Sequence, residues 1–484
     1  MRFPTFLALA IATLASPLSA DQGKASRTPL TPGTFAITDV TVIPMSGATT
    51  IPGATVVVRD GRIAEIGAAR NVRVPSGARR VDGRGKYLIP GLADMHTHLY
   101  ADGDIPDSVA KYEVGVMVAN GVTATRLMIG TPEHFTLRRE IETGRTVGPQ
   151  LWIASPQFTG KEDVNSRLVT TPADARAAVK EMADLGYDFI KLTLFITPPV
   201  YAAIVDEARR QRIRVVGHVD PQVGVARALA AGQQIEHLDN YLESVLADSA
   251  PMKESVSDRG LFHPRSWESL DWIDDAKVQR IAGETARAGI FTCPTLTVFK
   301  TAFALGQSEE EIRARPDWGT MPPAMRELYL GAREKYWANA ASEARRMRYV
   351  EVRNSLVKAI ADSGGKIMAG SDTPEWFFAY GWTIHRELES LVAAGLTPHQ
   401  ALAAATRNPA EFVRASKEWG TIEQGKRADL LLLEANPLED IRNTSRIEAV
   451  VVGGRVLDRA EREKMIADAV ERLGGDRGRG RRDQ

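Results

Sequence analysis

The sequence predicts an α/β protein built as a (β/α)8 TIM barrel, with a small β-sandwich domain formed by both ends of the chain. Two patterns carry this prediction. Between residues 87 and 415, apolar strand-like segments alternate with amphipathic helices, which is typical of βαβ units around a parallel sheet. On both sides of this region, at 33–86 and 420–460, short alternating β segments are separated by turns. We therefore expect a barrel at 87–415 and a sandwich made of the two flanking blocks.

Eight segments of the central region have the length and apolar character of strands, and helical segments such as 172–185 and 199–211 separate them. Eight strand and helix pairs fit a barrel with insertions, since the plain form takes about 250 residues. An open, doubly wound sheet is the alternative. The predicted strands are 88–93, 123–128, 150–154, 189–193, 214–219, 234–237, 290–296 and 366–369. Two long connections, 238–288 and 297–365, follow predicted strands and would lie over an active site at the carboxyl face of the barrel.

A turn signal supports the predicted sandwich. Asp60-Gly61 lies between two alternating segments, which indicates a hairpin. Near the other end of the chain, 428–433 and 447–452 have the character of strands, and Gly453-Gly454 has that of a turn. The two β-rich ends would fold together around the central domain; two unrelated β appendages are the alternative.

The composition excludes several classes of partner. The chain has 61 Lys and Arg residues against 61 Asp and Glu residues, so its formal net charge is zero. Such a balance indicates neither a nucleic-acid groove nor a general acidic partner. Cys293 is the only cysteine, which excludes an intrachain disulfide and a Cys-rich zinc knuckle; we expect it to be a small buried apolar residue. A small-molecule substrate is the expected partner, and a homo-oligomer stays open.

The first twenty residues have the pattern of a secretory signal peptide. Arg2 precedes an apolar run from Phe6 to Ala15, and small residues lead to polar Asp21. This run is too short to span a bilayer. We therefore expect export to the periplasm or the medium, with no stable membrane contact after cleavage of 1–20. The Gly- and Arg-rich end, 474–484, is predicted to be disordered.

His96-x-His98 follows the first predicted strand of the barrel. Side chains two residues apart on a strand point to the same side, about 6–7 Å apart. Two imidazoles in this arrangement form half of a metal clamp; two half-buried polar residues are the alternative. Four further polar residues lie at the ends of later predicted strands, where barrel enzymes keep their catalytic groups. They are Lys191, His218, His237 and Asp372.

At these residues the chain resembles the amidohydrolase superfamily of metal-dependent hydrolases, in the branch with imidazolonepropionase-like and prolidase-like members. The resemblance covers nearly everything after the predicted signal peptide. Its motifs are Leu88-Ile89-Pro90-Gly91 before His96-x-His98, Gly370-Ser371-Asp372, the segment 388–398, Ala404-Ala405-Thr406-Arg407-Asn408-Pro409-Ala410 and Gly425-Lys426-Arg427-Ala428-Asp429-Leu430.

The resemblance implies a centre of two divalent metal ions. His96, His98 and Asp372 would bind the more buried ion, and His218 and His237 the more exposed one. Lys191 matches the family position where a carbamylated lysine bridges the two ions. Imidazole and carboxylate ligands suit zinc best, with manganese, iron or cobalt as alternatives. Without carbamylation the site would reduce to a single metal.

Such a centre predicts hydrolysis by a metal-bound hydroxide. Asp372, next to the water, would take its proton and hand it to the leaving nitrogen. We expect an amidohydrolase that cleaves an amide bond in a dipeptide or an N-acyl amino acid. The alternatives are a cyclic amide or lactone hydrolase, a single-metal deaminase and, least favoured, a non-catalytic binding protein on a degenerate barrel.

Three further residues are weaker candidates. Tyr241 would donate a hydrogen bond to the developing oxyanion, or else pack as a loop aromatic. Arg126, at the end of the second strand, would bind a substrate carboxylate, or else form a structural ion pair. His385, after the last strand, is a candidate for substrate binding at the mouth of the barrel.

Overall fold

The computed structural model describes residues 33–47, 49–99, 109–163, 165–251, 268–301, 307–339, 342–374 and 377–473. The proposed signal peptide, 1–20, and tail, 474–484, lie outside these residues. Export and the domain boundaries given above therefore stay predictions. None of the described helices combines the length and the apolar character that crossing a bilayer requires.

Eight parallel strands of the central region are connected in cyclic order, which confirms the α/β class. Hydrogen bonds join the first three strands into one sheet and the last five into another. A bridge between Ala154 and Phe189 connects the third strand to the fourth, and a bridge between Thr97 and Thr373 connects the first to the segment after the eighth. The strands are Leu92–Thr97, Val122–Leu127, Gln150–Ile153, Phe189–Leu192, Arg214–Gly217, Gln234–Glu236, Phe291–Cys293 and Lys366–Ile367.

Helices follow these strands, and local capping chemistry explains where they begin and end. The helix Pro172–Leu185 matches the predicted range: the Thr171 side chain accepts a hydrogen bond from the backbone N–H of Asp174, and Gly186 ends the helix in the left-handed conformation. The described α-helices are Ala110–Ala119, Pro132–Glu142, Pro172–Leu185, Pro198–Gln211, Gly224–Ala231, Tyr241–Ser244, Asp275–Ala288, Leu296–Thr301, Glu309–Arg313, Pro323–Asn339, Glu343–Asp362, Trp382–Ala393, Pro398–Ala404, Arg407–Phe412 and Arg459–Leu473. Short 3-10 helices lie at Leu270–Trp272, Trp318–Thr320 and Ile441–Ser445.

Both ends of the chain meet in one hydrogen-bonded sheet of eight strands. Leu430 and Leu432 pack into a core of this sheet's own, whereas Leu431 and Leu433 join the large core of the central region. The strict alternation follows from the two-residue period of a strand and lets one sheet serve two cores. The strands are Phe35–Val42, Ile51–Arg59, Arg62–Ala68, Arg79–Asp82, Tyr87–Pro90, Leu430–Leu433, Ile447–Val452 and Arg455–Leu457.

The predicted strand 88–93 is wrong in its extent, because the chain divides there at Gly91. The strand Tyr87–Pro90 pairs antiparallel with Leu430–Leu433 in the terminal sheet, and Leu92–Thr97 begins the central sheet. A Cβ at Gly91 would lie 2.1 Å from Oγ1 of Thr123, so only glycine permits this close crossing. The two short strands Gln157–Thr159 and Ser166–Leu168 follow the third parallel strand and were not expected from the sequence.

The second long insertion is fastened to the segment that follows Asp372. Asp317 is fully buried and accepts hydrogen bonds from Arg315 (Nε, 3.0 Å; Nη2, 2.6 Å) and from Arg386 (Nη2, 3.1 Å). The Nη2 of Arg315 also donates to the carbonyl oxygen of Phe377 (2.7 Å), and the Phe377 ring packs against Trp318 and Tyr329. One buried carboxylate thus pairs with two guanidinium groups and holds the insertion in place.

We expect Asp317→Ala to lower the free energy of unfolding by about 3 kcal/mol, because it leaves two largely buried cations without a counter-charge. Asp184→Ala is the control, since Asp184 pairs with Lys180 on an exposed helix face and should cost less than about 1 kcal/mol. Urea unfolding followed by circular dichroism measures both. Equal shifts of the two midpoints would contradict a special role for Asp317.

Candidate active site

His96, His98 and Asp372 converge at the carboxyl ends of the first and eighth parallel strands. Nε2 of His96 lies 3.2 Å from Oδ1 of Asp372, and Nε2 of His98 lies 3.4 Å from the same oxygen. The ligand-type atoms of the three residues all lie within 4.8 Å of one another. Residues almost 280 positions apart in the sequence therefore share one small space, as expected for strand ends on one face of a parallel sheet.

His218 and His237 extend this group from the fifth and sixth strands. The His237 ring lies 4.6 Å from the His96 ring and 4.9 Å from the His218 ring, measured between centroids. Nδ1 of His237 is 4.0 Å from Oδ2 of Asp372. His218 is the more open of the two, with 28% of its side chain exposed against 9% for His237. The four histidines thus form a continuous row in the order His98, His96, His237 and His218, in which His96 is the most buried and His218 the most exposed.

Three of these imidazoles are oriented through Nδ1 by an oxygen atom behind them. Nδ1 of His96 lies 2.7 Å from Oε2 of Glu236, Nδ1 of His218 lies 2.7 Å from Oδ2 of Asp239, and Nδ1 of His237 lies 2.7 Å from Oγ1 of Thr295. Such partners fix the tautomer and leave Nε2 as the coordinating nitrogen, which is the usual support of a histidine metal ligand.

Lys191 is a buried lysine on the strand Phe189–Leu192, with 1% of its surface exposed. Burial lowers the pKa of its amine, against the effects of Glu236 and Asp372, whose charges raise it. Its aliphatic stem passes over Gly217: a Cβ there would lie 2.9 Å from Cδ of Lys191, and Gly217 has φ +115°. Glycine at this position is therefore required both for the lysine and for the backbone.

The electrostatic state of the group suits a cation. Burial lowers the pKa of His96 to about 3 and the pKa of His237 to about 4, so both rings are neutral near pH 7. Burial alone would raise the pKa of Asp372, but His96, His237 and a hydrogen bond with His98 hold it well below its usual value. Neutral imidazoles beside an ionised carboxylate are the donor set that zinc and similar divalent ions prefer. The residues present therefore fit such an ion.

Several residues of the site have a strained backbone. His237, Thr295 and Asp372 have φ values of 57°, 43° and 56°. A side chain other than glycine enters this left-handed region at a cost of about 1–2 kcal/mol, and such strain is concentrated at functional sites. His237 directly follows the strand Gln234–Glu236, Thr295 lies two residues beyond Phe291–Cys293, and Asp372 lies five residues beyond Lys366–Ile367. The strained positions therefore lie in the segments that follow the sixth, seventh and eighth strands.

The role predicted for Arg126 as a substrate-binding residue is wrong, and the structural alternative holds. Arg126 is fully buried inside the ring of strands and donates to Oε1 of Glu236 (2.5 Å), Oε1 of Gln234 (2.6 Å) and the carbonyl oxygen of Met95 (2.6 Å). No edge of its guanidinium is left for a substrate carboxylate. Its function is to hold Glu236, which in turn holds His96.

The geometry also corrects the predictions for Tyr241 and His385. The hydroxyl group of Tyr241 is buried and bonded to Oγ1 of Thr285 (2.8 Å), on the helix Asp275–Ala288, so it does not reach a developing oxyanion. His385 is buried between Oγ1 of Thr444 (2.9 Å) and the carbonyl oxygen of Asn120 (3.0 Å), which occupy both ring nitrogens. Both residues pack rather than bind.

Sequence reasoning missed the oxygen partners of the histidines. Glu236 carried a usable signal, because it is a charged residue inside a predicted buried strand and directly precedes His237. Asp239, two residues beyond His237, and Thr295 carried none, since a polar residue in a loop is ordinary. Cys293, which lies with Glu236 next to His96, is not a convincing ligand: burial raises the pKa of its thiol well above the usual value.

Comparison with known proteins agrees with this geometry. The family model for the amidohydrolase family matches residues 87–457. Imidazolonepropionase of Symbiobacterium thermophilum is 26% identical over 410 residues, which cover 80% of this chain and 85% of that protein.

Two solved structures have a similar fold. A proposed prolidase from Bifidobacterium longum superposes with a TM-score of 0.65 at 25% identity, over 91% of this chain and all of that one. Bottromycin amidohydrolase superposes with a TM-score of 0.71 at 24% identity, over 92% of this chain and 91% of that one. The resemblance noted from the sequence is thereby confirmed. The chain belongs to the amidohydrolase family and is a hydrolase that acts on carbon–nitrogen bonds.

Proposed function

We propose that this chain is a metal-dependent amidohydrolase that cleaves the amide bond of a dipeptide or an N-acyl amino acid with water. One observation carries the proposal: His96 and His98 converge on the same carboxylate oxygen of Asp372, and His237 and His218 continue the row. We likewise propose that the cyclic parallel strands form a (β/α)8 barrel and that the terminal sheet forms a small β-sandwich domain. The site then lies at the carboxyl face of the barrel.

His96, His98 and Asp372 would hold the more buried of two divalent ions, and His218 and His237 the more exposed one. Zinc fits the donors best. When bound, the ions supply Lewis acidity, which acidifies a water molecule and polarises the carbonyl group of the substrate. His96 and His237 would be occupied as metal ligands, so the acid–base work falls to the carboxylate of Asp372.

Asp372 is suited to move the proton. Its neighbours His96, His98 and His237 keep it ionised, so it can accept a proton from the attacking water. As the oxygen of that water bonds to the carbonyl carbon and the C–N bond breaks, the same proton passes from Asp372 to the leaving nitrogen. The products are a carboxylic acid and an amine.

Lys191 would bridge the two ions as a carbamate. Burial lowers the pKa of Lys191, which favours the neutral amine that attacks carbon dioxide. The new N–C bond yields a carbamate and releases one proton. This change replaces a group that would repel metal cations by an anionic oxygen donor. The buried position protects the carbamate from exchange with solvent.

The second candidate is the opening of a cyclic amide or a lactone, or a deamination, at a single metal. It is favoured by the similarity over most of the chain to an imidazolonepropionase. It would require that Lys191 stays a free amine. A non-catalytic binding role has no support, because every predicted metal ligand type is present around Asp372.

The substrate class is tested by screening zinc-loaded protein against dipeptides, N-acyl amino acids, cyclic amides and lactones. We expect release of free amine from members of the first two groups, because the proposed proton route ends on a leaving nitrogen. Ninhydrin or mass spectrometry detects the amine. Turnover confined to lactones would contradict the proposal.

We expect Asp372→Asn to lower kcat by about 10²- to 10⁴-fold, since the amide cannot accept the proton of the attacking water. The matched control is Asp362→Asn, at an exposed position paired with Lys358. Metal content, measured by plasma mass spectrometry, separates loss of metal from loss of the base. Unchanged kcat in Asp372→Asn would exclude Asp372 from proton transfer.

We expect Lys191→Arg to reduce the metal content from about two ions per chain to about one, because arginine cannot form the bridging carbamate. Protein incubated with ¹³C-bicarbonate should show a carbamate resonance that is missing from the variant. One ion per chain in both proteins, with no such resonance, would favour the single-metal alternative.

A further inference from the structure

Arg353 is a buried arginine with an unused hydrogen-bonding edge. It lies on the helix Glu343–Asp362 of the second insertion, and 3% of its surface is exposed. Its Nη1 donates to the hydroxyl group of Tyr349 (3.1 Å). Within the described part of the chain, its Nε and Nη2 have no hydrogen-bond partner, and no carboxylate forms an ion pair with it.

An uncompensated guanidinium in such a place is costly. A guanidinium carries a fixed positive charge, and a buried charge without an opposite charge beside it destabilises the folded state. The face of the group does have a partner: its Cζ lies 3.4 Å from the ring centroid of Phe299 and 5.5 Å from that of Tyr349. Such cation–π contacts offset part of the cost but leave the two N–H groups unsatisfied.

The unused edge is the one that arginines of this chain use to hold carboxylates. Arg84 grips Asp82 through Nε (3.0 Å) and Nη2 (2.7 Å). Arg315 grips Asp317 through the same two atoms (3.0 Å and 2.6 Å). This fork matches the two oxygens of a carboxylate. In Arg353 the same pair of N–H groups, on Nε and Nη2, has no carboxylate as its partner within the described residues.

The position of Arg353 connects it to the active site. Phe299 belongs to the helix Leu296–Thr301, which starts directly after Thr295, the partner of His237. The guanidinium therefore packs on the helix that begins beside the hydrogen-bond partner of His237.

We propose that Arg353 binds the free carboxylate of the substrate, which makes the substrate an anionic N-acyl amino acid or a dipeptide. This inference rests on the proposed function. Nε and Nη2 are shielded from solvent in this structure, so binding requires a small opening between the helix Glu343–Asp362 and the helix Leu296–Thr301. Closure around the carboxylate then places the scissile amide near the metal ligands.

The test compares each active N-acyl amino acid with its C-terminal primary amide, which carries the same scissile bond without the charge. We expect Arg353→Met to raise KM for the acid by about 10- to 100-fold, the effect of losing a charge-assisted pair, with a smaller change in kcat. The kcat/KM for the amide should not change. Arg348→Met is the control, because Arg348 is exposed on the same helix.

Three results would overturn the assignment. One is an acid-to-amide preference that is equal in the wild type and in Arg353→Met. In another, acetate or inorganic phosphate inhibits the wild type but not Arg353→Met, while Arg353→Met keeps the wild-type preference for the acid over the amide. That result would mean that Arg353 binds a free anion and not the substrate. The third is hydrolysis of neutral substrates alone.

A second variant covers a failure to fold. Arg353→Lys keeps the positive charge but loses the two parallel N–H groups, so it should raise KM for the acid by less than Arg353→Met does. If Arg353→Met does not fold, an unchanged KM in Arg353→Lys would count against the proposal. Metal content and turnover of any amide by the wild type test the proposed function separately from the role of Arg353.

Discussion

The site depends on a chain of buried contacts that runs from the interior of the strand ring to its carboxyl face. Arg126 lies beside the stacked rings of Phe189 and Phe412 and is bonded to Glu236 (2.5 Å). Glu236 is bonded to His96 (2.7 Å), whose other nitrogen meets Asp372 (3.2 Å). An isolated ion at any of these positions would be unfavourable, but Arg126 and Glu236 neutralise each other and the His96 ring joins this pair to Asp372. The arrangement ties the first, second, sixth and eighth strands together before any substrate binds.

Oxygen partners also orient the two more exposed histidines. Asp239 and Thr295 orient His218 and His237, and the backbone is strained at His237 and Asp372. The strain is tolerated because hydrogen bonds fix these segments from both sides, for example from the N–H of Asp372 to the carbonyl oxygen of His96 (2.8 Å). Arg353, which we propose to bind the carboxylate of the substrate, lies on the second insertion, so chemistry and selectivity would be carried by different parts of the chain.

The convergence of His96, His98 and Asp372 was predictable because residues at strand ends of one parallel sheet must meet, and because His96-x-His98 and Gly370-Ser371-Asp372 are specific motifs. The helix Pro172–Leu185 was predictable from Thr-Pro at its start and glycine at its end. The position of the Arg126 guanidinium was not predictable. The two-residue period of a strand tells which side the residue occupies, but not how deep inside the ring of strands its long side chain lies. Tyr241 and His385 lie on helices whose rotation the sequence leaves open. The break at Gly91 depends on a contact with Thr123, a non-local fact.

The central claim is that these side chains hold divalent ions at one point. Anomalous X-ray diffraction at the zinc edge, from crystals of the zinc-supplemented protein, tests it most directly. The account predicts one peak within bonding distance of His96, His98 and Asp372, and a second beside His218 and His237 with Lys191 between them. A map with no anomalous peak near Asp372, from protein that turns over an amide, would contradict it.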